Sequence, residues 1–267
     1  MKKVLIIGER GFIGKSLHKF LKHKHKVKLM SFKNAINYKL SNEYDFVINT
    51  STNKDYIKNK YNKNFDNDLK LANKLNNKRT IFIFLSSRKV YKTKPNIKET
   101  DKLSPKSNYS KNKLITEKLL NNRLSGNLTI LRISNIIGEK FKFSKYLHNT
   151  FIDIFYKKAK KGLIYNNKNN YKDFISIQKF CEIVNMIMRK NLTGIFNVSI
   201  GKRVYLNDLV SWLNYYNKRK IKIVKNIKSS NENFYLNNKK LMSKIKISNN
   251  MENLKRDCLN LSKKLFK

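Results

Sequence analysis

Tyr109-Ser110-Lys111-Asn112-Lys113 places a phenol and an ammonium at i and i+4, and on a helix such residues share one face. In general an ammonium beside a phenol favours the phenolate, so the pair is suited to passing a proton to or from an alcohol or carbonyl oxygen. Upstream, Ser86-Ser87 closes the apolar run Ile81-Phe82-Ile83-Phe84-Leu85. A serine at a strand end can orient that same oxygen by a hydrogen bond. Alone, a tyrosine and a lysine one turn apart mean little in a chain this rich in both, since Tyr109 could pack, Lys113 could be solvated and Ser87 could cap a turn.

The glycines near the start change that balance. Gly8-Glu9-Arg10-Gly11-Phe12-Ile13-Gly14 follows Val4-Leu5-Ile6-Ile7 and precedes apolar residues at helical spacing, Phe12, Ile13, Leu17, Phe20 and Leu21. Strand, tight turn and helix in this order let a backbone approach a pyrophosphate, with free N–H groups and the helix dipole facing the charge. Hydride exchange with a bound nicotinamide, coupled to proton transfer at a substrate oxygen, is the chemistry this combination suggests.

The elements that must carry these residues alternate. Val27 to Ser31 and Tyr44 to Asn49 read as strands, and Phe65 to Leu75 as a helix with Phe65, Leu69, Ala72 and Leu75 on one face. Thr80 to Leu85 reads as a buried strand, Ser107 to Leu120 as a helix approached through Ser104-Pro105, and Leu128 to Ile133 as a strand. Apolar strands alternating with helices predict an α/β fold, a Rossmann-type doubly wound parallel sheet. Further on, helices are expected over Ser144 to Lys161, over Ile177 to Met188, on the face of Leu206, Leu209, Val210 and Leu213, and in a basic segment near the end. Strands are expected at Gly162 to Tyr165, Gly194 to Val198 and Ile221 to Val224. The predicted division is a dinucleotide-binding domain over 1–139, re-entered at about 172–198, and a smaller C-terminal substrate lobe from 140–171 and 199–267.

Composition bounds the functional classes. With 267 residues, 40% of them hydrophobic, the chain can form a real core. Its apolar stretches are too short to span a bilayer, and Gly8-Glu9-Arg10 interrupts the first one too early for a signal peptide, so a cytoplasmic protein without membrane insertion is expected. Cys181 and Cys258 lack metal-ligand spacing and read as reduced, partly buried thiols. His23-Lys24-His25-Lys26 reads as a solvated lysine-rich loop, and no metal site is expected.

Sixty basic residues against 17 acidic ones give a net charge of +43. A nucleic-acid surface is one reading. The lysines are spread over the whole chain, however, arginine is sparse, and asparagine is equally pervasive, as in Asn166-Asn167-Lys168-Asn169-Asn170. Compositional drift at tolerant surface sites accounts for both excesses.

In these motifs the chain resembles the extended short-chain dehydrogenase/reductase superfamily, in the NAD-dependent epimerase/dehydratase branch that modifies nucleotide sugars. Gly8, Gly11 and Gly14 match its cofactor loop, Ser86-Ser87-Arg88-Lys89-Val90-Tyr91 its serine-bearing strand end, and Tyr109 with Lys113 its Tyr-x-x-x-Lys pair. Arg132-Ile133-Ser134-Asn135-Ile136-Ile137-Gly138 is similar to its segment beside nicotinamide and substrate. Lys172-Asp173-Phe174-Ile175 and Phe196-Asn197-Val198 are similar to its re-entrant segment and late strand.

The resemblance implies Ser87, Tyr109 and Lys113 as the catalytic set, with Lys113 also on the nicotinamide ribose. It implies Gly8, Arg10, Gly11, Phe12, Ile13, Gly14, Ser31, Thr50 and Ser51 around the cofactor, and Ser87, Tyr109 and Asn135 around a nucleotide-sugar substrate. A homodimer through helices such as the one bearing Tyr109 is a further implication. Three departures refine this. Lys92 replaces a glycine frequent after the Val-Tyr pair. Arg88 and Lys89 stand where 4,6-dehydratases carry an acidic pair, which disfavours dehydration. The second strand ends Ser31-Phe32-Lys33 without the acid that would hold an adenosine ribose, so NADP is slightly preferred to NAD, with Arg10, Ser31 and Lys33 available to the extra phosphate. The expected reaction is 4-keto-sugar reduction or sugar epimerisation. Against it stand a non-catalytic Rossmann protein binding RNA through its basic surface, and an inactive paralogue partnering an active enzyme.

Overall fold

The computed structural model describes residues 1–38, 43–75, 79–139, 151–165, 169–219, 221–224 and 232–266. In chain order its elements begin β1 (Lys3–Ile7), α1 (Phe12–Leu21), β2 (Lys26–Met30), α2 (Phe32–Asn37), β3 (Phe46–Asn49), α3 (Lys54–Lys58), α4 (Asn67–Asn73), β4 (Ile81–Ser87), α5 (Asn108–Leu124) and β5 (Leu128–Ile133). They continue with β6 (Asn135–Ile137), α6 (Phe151–Lys160), β7 (Leu163–Tyr165), β8 (Tyr171–Lys172), β9 (Phe174–Ser176), α7 (Ile177–Arg189), β10 (Gly194–Val198), β11 (Val204–Tyr205), α8 (Leu206–Asn214), β12 (Lys222–Val224), α9 (Lys239–Ile245) and α10 (Met251–Phe266). Two compact units contain them, the first formed by Met1–Lys92, Glu99–Ile133 and Cys181–Asn197, the second by Thr93–Lys98, Ser134–Phe180 and Val198–Lys267.

The first unit is built on a six-stranded sheet of order β10-β5-β4-β3-β1-β2, in which β2, β1, β3, β4 and β5 pair in parallel. Parallel strands need crossovers, and the helices that supply them cover both faces. Leu5, Ile7, Val47, Phe82, Phe84 and Ile130 share a core cluster with Leu71, Ala72 and Leu75 beside them and with Leu120 and Leu124 of α5. The alternate residues Val4, Ile6, Phe46, Ile48 and Ile83 point to the opposite face and are also fully buried. This continuous burial is why the strands read as unbroken apolar runs.

Several helix starts in the first unit, those of α2, α3, α4 and α5, are set by side-chain caps. The Ser107 and Ser110 side chains form a reciprocal capping box that begins α5 at Asn108. The helix then runs four residues past the predicted end at Leu120, to Leu124. The predicted helix over Phe65 to Leu75 is instead a short 3₁₀ turn, Lys63–Phe65, followed by α4. Asp66 explains the break, because its carboxylate accepts the Leu69 N–H at 3.0 Å and fixes the helix start behind Phe65. The buried face is therefore Asp68, Leu71 and Ala72, with Leu75 beyond the helix end, while Phe65 and Leu69 are only half-buried.

His25 also departs from expectation. It is 6% exposed, not solvated. Its Nδ1 accepts the Lys2 N–H at 3.3 Å and its Nε2 lies 2.8 Å from Asn185 Oδ1 on α7, so the ring ties the strand entry to that helix. Cys181 and Cys258 are free and fully buried, and burial pushes both thiols up to about 12.

The second unit has its own core, in which Phe155, Phe174, Leu209, Leu213, Leu254 and Cys258 pack together. Its strands are short: β6 pairs with β9 and β12 with β7 in parallel, and β11 with β8 antiparallel. Buried Asp173 accepts the Leu236 N–H at 2.9 Å, and burial raises its carboxyl to about 7. Of the helix predicted over Ser144 to Lys161, the residues before Phe151 lie outside those described, as do 166–168 of the asparagine run. The predicted strands at Gly162 to Tyr165 and Ile221 to Val224 correspond to β7 and β12, and α10 is the basic terminal helix. No described helix is long and apolar enough to cross a membrane, and no described group of three or more His, Cys, Asp or Glu residues could hold a metal ion.

Candidate active site

The glycine turn forms because three backbone segments converge within the first unit. Gly8 has φ +114°, a region that side chains rarely adopt, and its N–H bonds the Met30 carbonyl at 2.9 Å. The Gly11 N–H returns to the Gly8 carbonyl at 3.0 Å, closing the turn into α1. Gly14 lies where α1 crosses that turn: a Cβ there would collide with the Gly8 carbonyl oxygen and stand 2.6 Å from Thr50 Oγ1. Thr50 is itself fixed, since its N–H and its hydroxyl both bond the Ile7 carbonyl, at 2.7 and 2.8 Å. Ser51 follows in a turn held by Asn49, whose Oδ1 accepts the Ser51 N–H and hydroxyl at 3.0 and 2.7 Å.

These residues fit a dinucleotide pyrophosphate. The cap of α1 is a glycine with no capping side chain, and its first turn contains no acidic residue. The N–H groups of Phe12, Ile13 and Gly14 accordingly have no intrahelical acceptor, and the nearest acidic residue in sequence, Glu9, lies in the turn before the helix. Arg10 is exposed beside them. Ser31, by contrast, already has a partner for its side-chain oxygen, which accepts the Asn34 N–H at 3.0 Å and begins α2, an element absent from the sequence reading.

Tyr109 and Lys113 lie one turn apart on α5, Tyr109 half-buried and Lys113 only 4% exposed. The lysine is not solvated. Its Nζ lies 4.4 Å from the Phe84 ring centroid and 5.6 Å from that of Tyr56, and it makes an ion pair with Asp68 at 3.6 Å. Phe84 is on β4, three residues before Ser87, so the strand that ends in the serine also lines the lysine's surroundings. Ser87 Oγ accepts the Lys89 N–H at 3.2 Å, capping the 3₁₀ turn Arg88–Val90, against which α5 packs. The hydroxyl proton gives Ser87 a donor as well.

One turn beyond Lys113, Glu117 anchors the other side of this region. It accepts Ser86 Oγ at 2.5 Å and pairs with Arg132 Nη2 at 2.6 Å, with both charged side chains buried. Arg132 Nη1 continues to the Tyr91 hydroxyl at 2.9 Å, and that hydroxyl donates to Asn197 Oδ1 at 2.8 Å. The network ties the end of β4 to α5, β5 and β10. Asn135 stands in the second unit on β6, its side chain donating to the Asp173 carbonyl at 2.9 Å.

Asp68 and Glu117 stand outside the sequence motifs, while Asn49, Tyr91 and Asn197 lie at the end of a predicted strand or within family-like segments that assign them no contacts. Glu117 could have been found, since it extends the Tyr109–Lys113 spacing by one more turn. Asp68 could not, because its contact with Lys113 joins two helices far apart in sequence.

A six-stranded sheet with a glycine turn behind its first strand, and a Tyr-x-x-x-Lys helix packed on the strand ending in serine, defines a Rossmann-type α/β fold. The sequence profile of the NAD dependent epimerase/dehydratase family matches residues 25–199, and the chain belongs to that family. Among solved structures it is similar to UDP-N-acetylglucosamine 4-epimerase from Methanobrevibacter ruminantium in complex with UDP-N-acetylmuramic acid, with 21% identity over 98% of this chain and 97% of the other and a TM-score of 0.78. A dTDP-4-dehydrorhamnose reductase from Clostridium acetobutylicum shows 16% identity over 98% and 99% of the two chains, with a TM-score of 0.77. RMD from Pseudomonas aeruginosa, complexed with NADPH, shows 16% identity over 99% and 98%, with a TM-score of 0.76. At these identities the likeness shows the fold, and it extends over nearly the whole of each chain. No curated protein matches in sequence.

Proposed function

We propose that the protein is an NAD(P)-dependent oxidoreductase of nucleotide sugars, acting as a 4-keto-sugar reductase or as an epimerase that oxidises and re-reduces one carbon. The observation that carries this reading is the burial of Lys113 one turn from Tyr109, on a helix packed against the strand that ends in Ser87. A lysine on a solvated face would have no reason to be fixed there.

Gly8, Arg10, Gly11, Phe12, Ile13, Gly14, Thr50 and Ser51 would hold the dinucleotide, with Lys113 on its nicotinamide ribose. When bound, the nicotinamide supplies or takes up the hydride. Tyr109 then exchanges a proton with the sugar oxygen, Ser87 orients that oxygen by donating its hydroxyl proton, and Asn135 belongs to the sugar side. The absence of an acid after β2 and the exposure of Arg10 and Lys33 support a slight preference for NADP. Residues 140–171 and 199–267 supply the sugar side, and a cytoplasmic homodimer completes the reading.

Neighbouring folds include a UDP-sugar epimerase and a dTDP-keto-sugar reductase, which supports catalysis over RNA binding. The test has two arms. Purified protein is mixed with dTDP-4-dehydrorhamnose and NADPH or NADH, and separately with UDP-N-acetylglucosamine and NAD. Oxidation of the reduced cofactor in the first arm marks a reductase. Interconversion of sugars without net change of cofactor in the second marks an epimerase. Turnover in neither arm, nor with other nucleotide sugars of these classes, would contradict the proposal.

A further inference from the structure

A buried ammonium is costly unless something compensates its lost hydration. Around Lys113 the candidates can be followed one by one. The Tyr56 ring from α3 and the Phe84 ring from β4 offer their faces, but no negative charge. Asp66, at the start of α4, is committed elsewhere: its carboxylate accepts the Thr116 hydroxyl at 2.6 Å, the Tyr61 hydroxyl at 3.0 Å and the Leu69 N–H at 3.0 Å. Asp68 remains, with one oxygen 3.6 Å from Lys113 Nζ and the other accepting Asn49 Nδ2 at 2.8 Å. Asn49 is fully used in turn, because its Oδ1 takes the N–H and hydroxyl of Ser51 on the cofactor side of the sheet.

We propose that Asp68 is a positioning residue for Lys113: its carboxylate, oriented by Asn49, is the counter-ion that fixes the lysine ammonium between the Tyr56 and Phe84 rings, one turn from Tyr109. The proposal rests on the reading of Tyr109 and Lys113 as the proton-transfer pair. It also joins that pair to the Thr50–Ser51 turn through one chain of contacts, Ser51 to Asn49 to Asp68 to Lys113.

The arrangement has a pH signature. Burial raises the Asp68 carboxyl to about 6, with Asp66 acting in the same direction, while Lys113 and the Asn49 hydrogen bond hold it down. Among the described residues Tyr56, Tyr61 and Tyr109 are further titratable groups near this cluster. Above about 6 the carboxylate is ionised and paired; as pH falls through that value the counter-ion is neutralised and Lys113 loses its anchor.

Two measurements on the full chain test this. In protein carrying ¹³C at the aspartate carboxyl carbon, the resonance missing from Asp68→Asn should titrate near 6 in the wild type. In Lys113→Met its midpoint should rise by about one unit, because the stabilising charge is gone. A midpoint that does not move in Lys113→Met overturns the ion pair. In parallel, NADH and NADPH affinities are measured between acidic and neutral pH. The wild type should bind more weakly below the carboxyl's midpoint. Asp68→Asn should bind about tenfold more weakly at neutral pH, with no inflection, because it imitates the protonated acid. Wild-type affinity in Asp68→Asn, or an inflection that survives in it, overturns the positioning role. The carboxyl titration needs no substrate or turnover, so its failure is distinguishable from failure of the proposed reaction, which Tyr109→Phe decides.

Discussion

Tyr109→Phe is expected to lower turnover of the nucleotide sugar by roughly 10²–10⁴-fold, the usual contribution of a positioned acid/base group. The phenyl ring keeps the packing of the half-buried side chain and removes only the hydroxyl, so α5 and the Lys113 ion pair should persist. NAD(P)H affinity should change little. That split is the informative part, because a variant that had merely lost its fold would lose binding and turnover together. The measurement is steady-state kinetics beside a cofactor titration. Wild-type turnover in Tyr109→Phe would remove the proposed proton-transfer role.

Gly14→Ala is expected to impair cofactor binding by tenfold or more. Helix propensity alone would favour alanine at this position by about 1 kcal/mol. Sterics oppose it more strongly, because the added Cβ would run into the Gly8 carbonyl oxygen, a backbone atom, and into Thr50 Oγ1, which is tethered to Ile7. Relief requires α1 to move away from the turn, at a cost of about 1–3 kcal/mol. The displaced turn is the one expected to receive the pyrophosphate. Gly126→Ala is the control: its Cβ would meet nothing within 4 Å, so the left-handed φ of +83° costs stability without touching the cofactor turn. Fluorescence titration of both variants with NADH and NADPH checks the contrast. Equal affinities would dissociate the glycine turn from cofactor binding.

Much of the first unit was legible because strands buried on both faces write themselves as apolar runs. Val4 to Ile7, Ile81 to Leu85 and Leu128 to Ile133 could hardly have been anything else, and Gly8 with Gly14 marked where the backbone had to approach itself. The end of α5 is marked locally as well, by Gly126 with φ +83° and by the Asn127 N–H bonding the Leu124 carbonyl at 2.9 Å, a stop signal that the apolar spacing up to Leu120 did not include. Phe65 and Leu69 misled because their spacing suited a helix, whereas the Asp66 cap decided where that helix begins. His25 misled through its lysine neighbours; its partner Asn185 is distant in sequence and left no local trace. In the candidate site the same distinction holds. Tyr109, Lys113 and Ser87 were visible through spacing and strand position, while Asp68 and Asn49 act by contacts between α4, α5 and β3 that only the folded chain brings together. Of the second unit's short strands, β7 and β12 were anticipated from their apolar residues, whereas β6, β8, β9 and β11 were not, because segments of two or three residues carry no period.

Binding of a nicotinamide dinucleotide by the first unit is tested by parallel fluorescence titrations of the purified protein with NADH and NADPH. They should be run at moderate salt, so that the charge of +43 does not gather anions indiscriminately. Saturable binding, tighter for NADPH by a modest factor and diminished in Gly14→Ala, is the expected result. Binding of neither dinucleotide would rule out a nicotinamide site in the first unit.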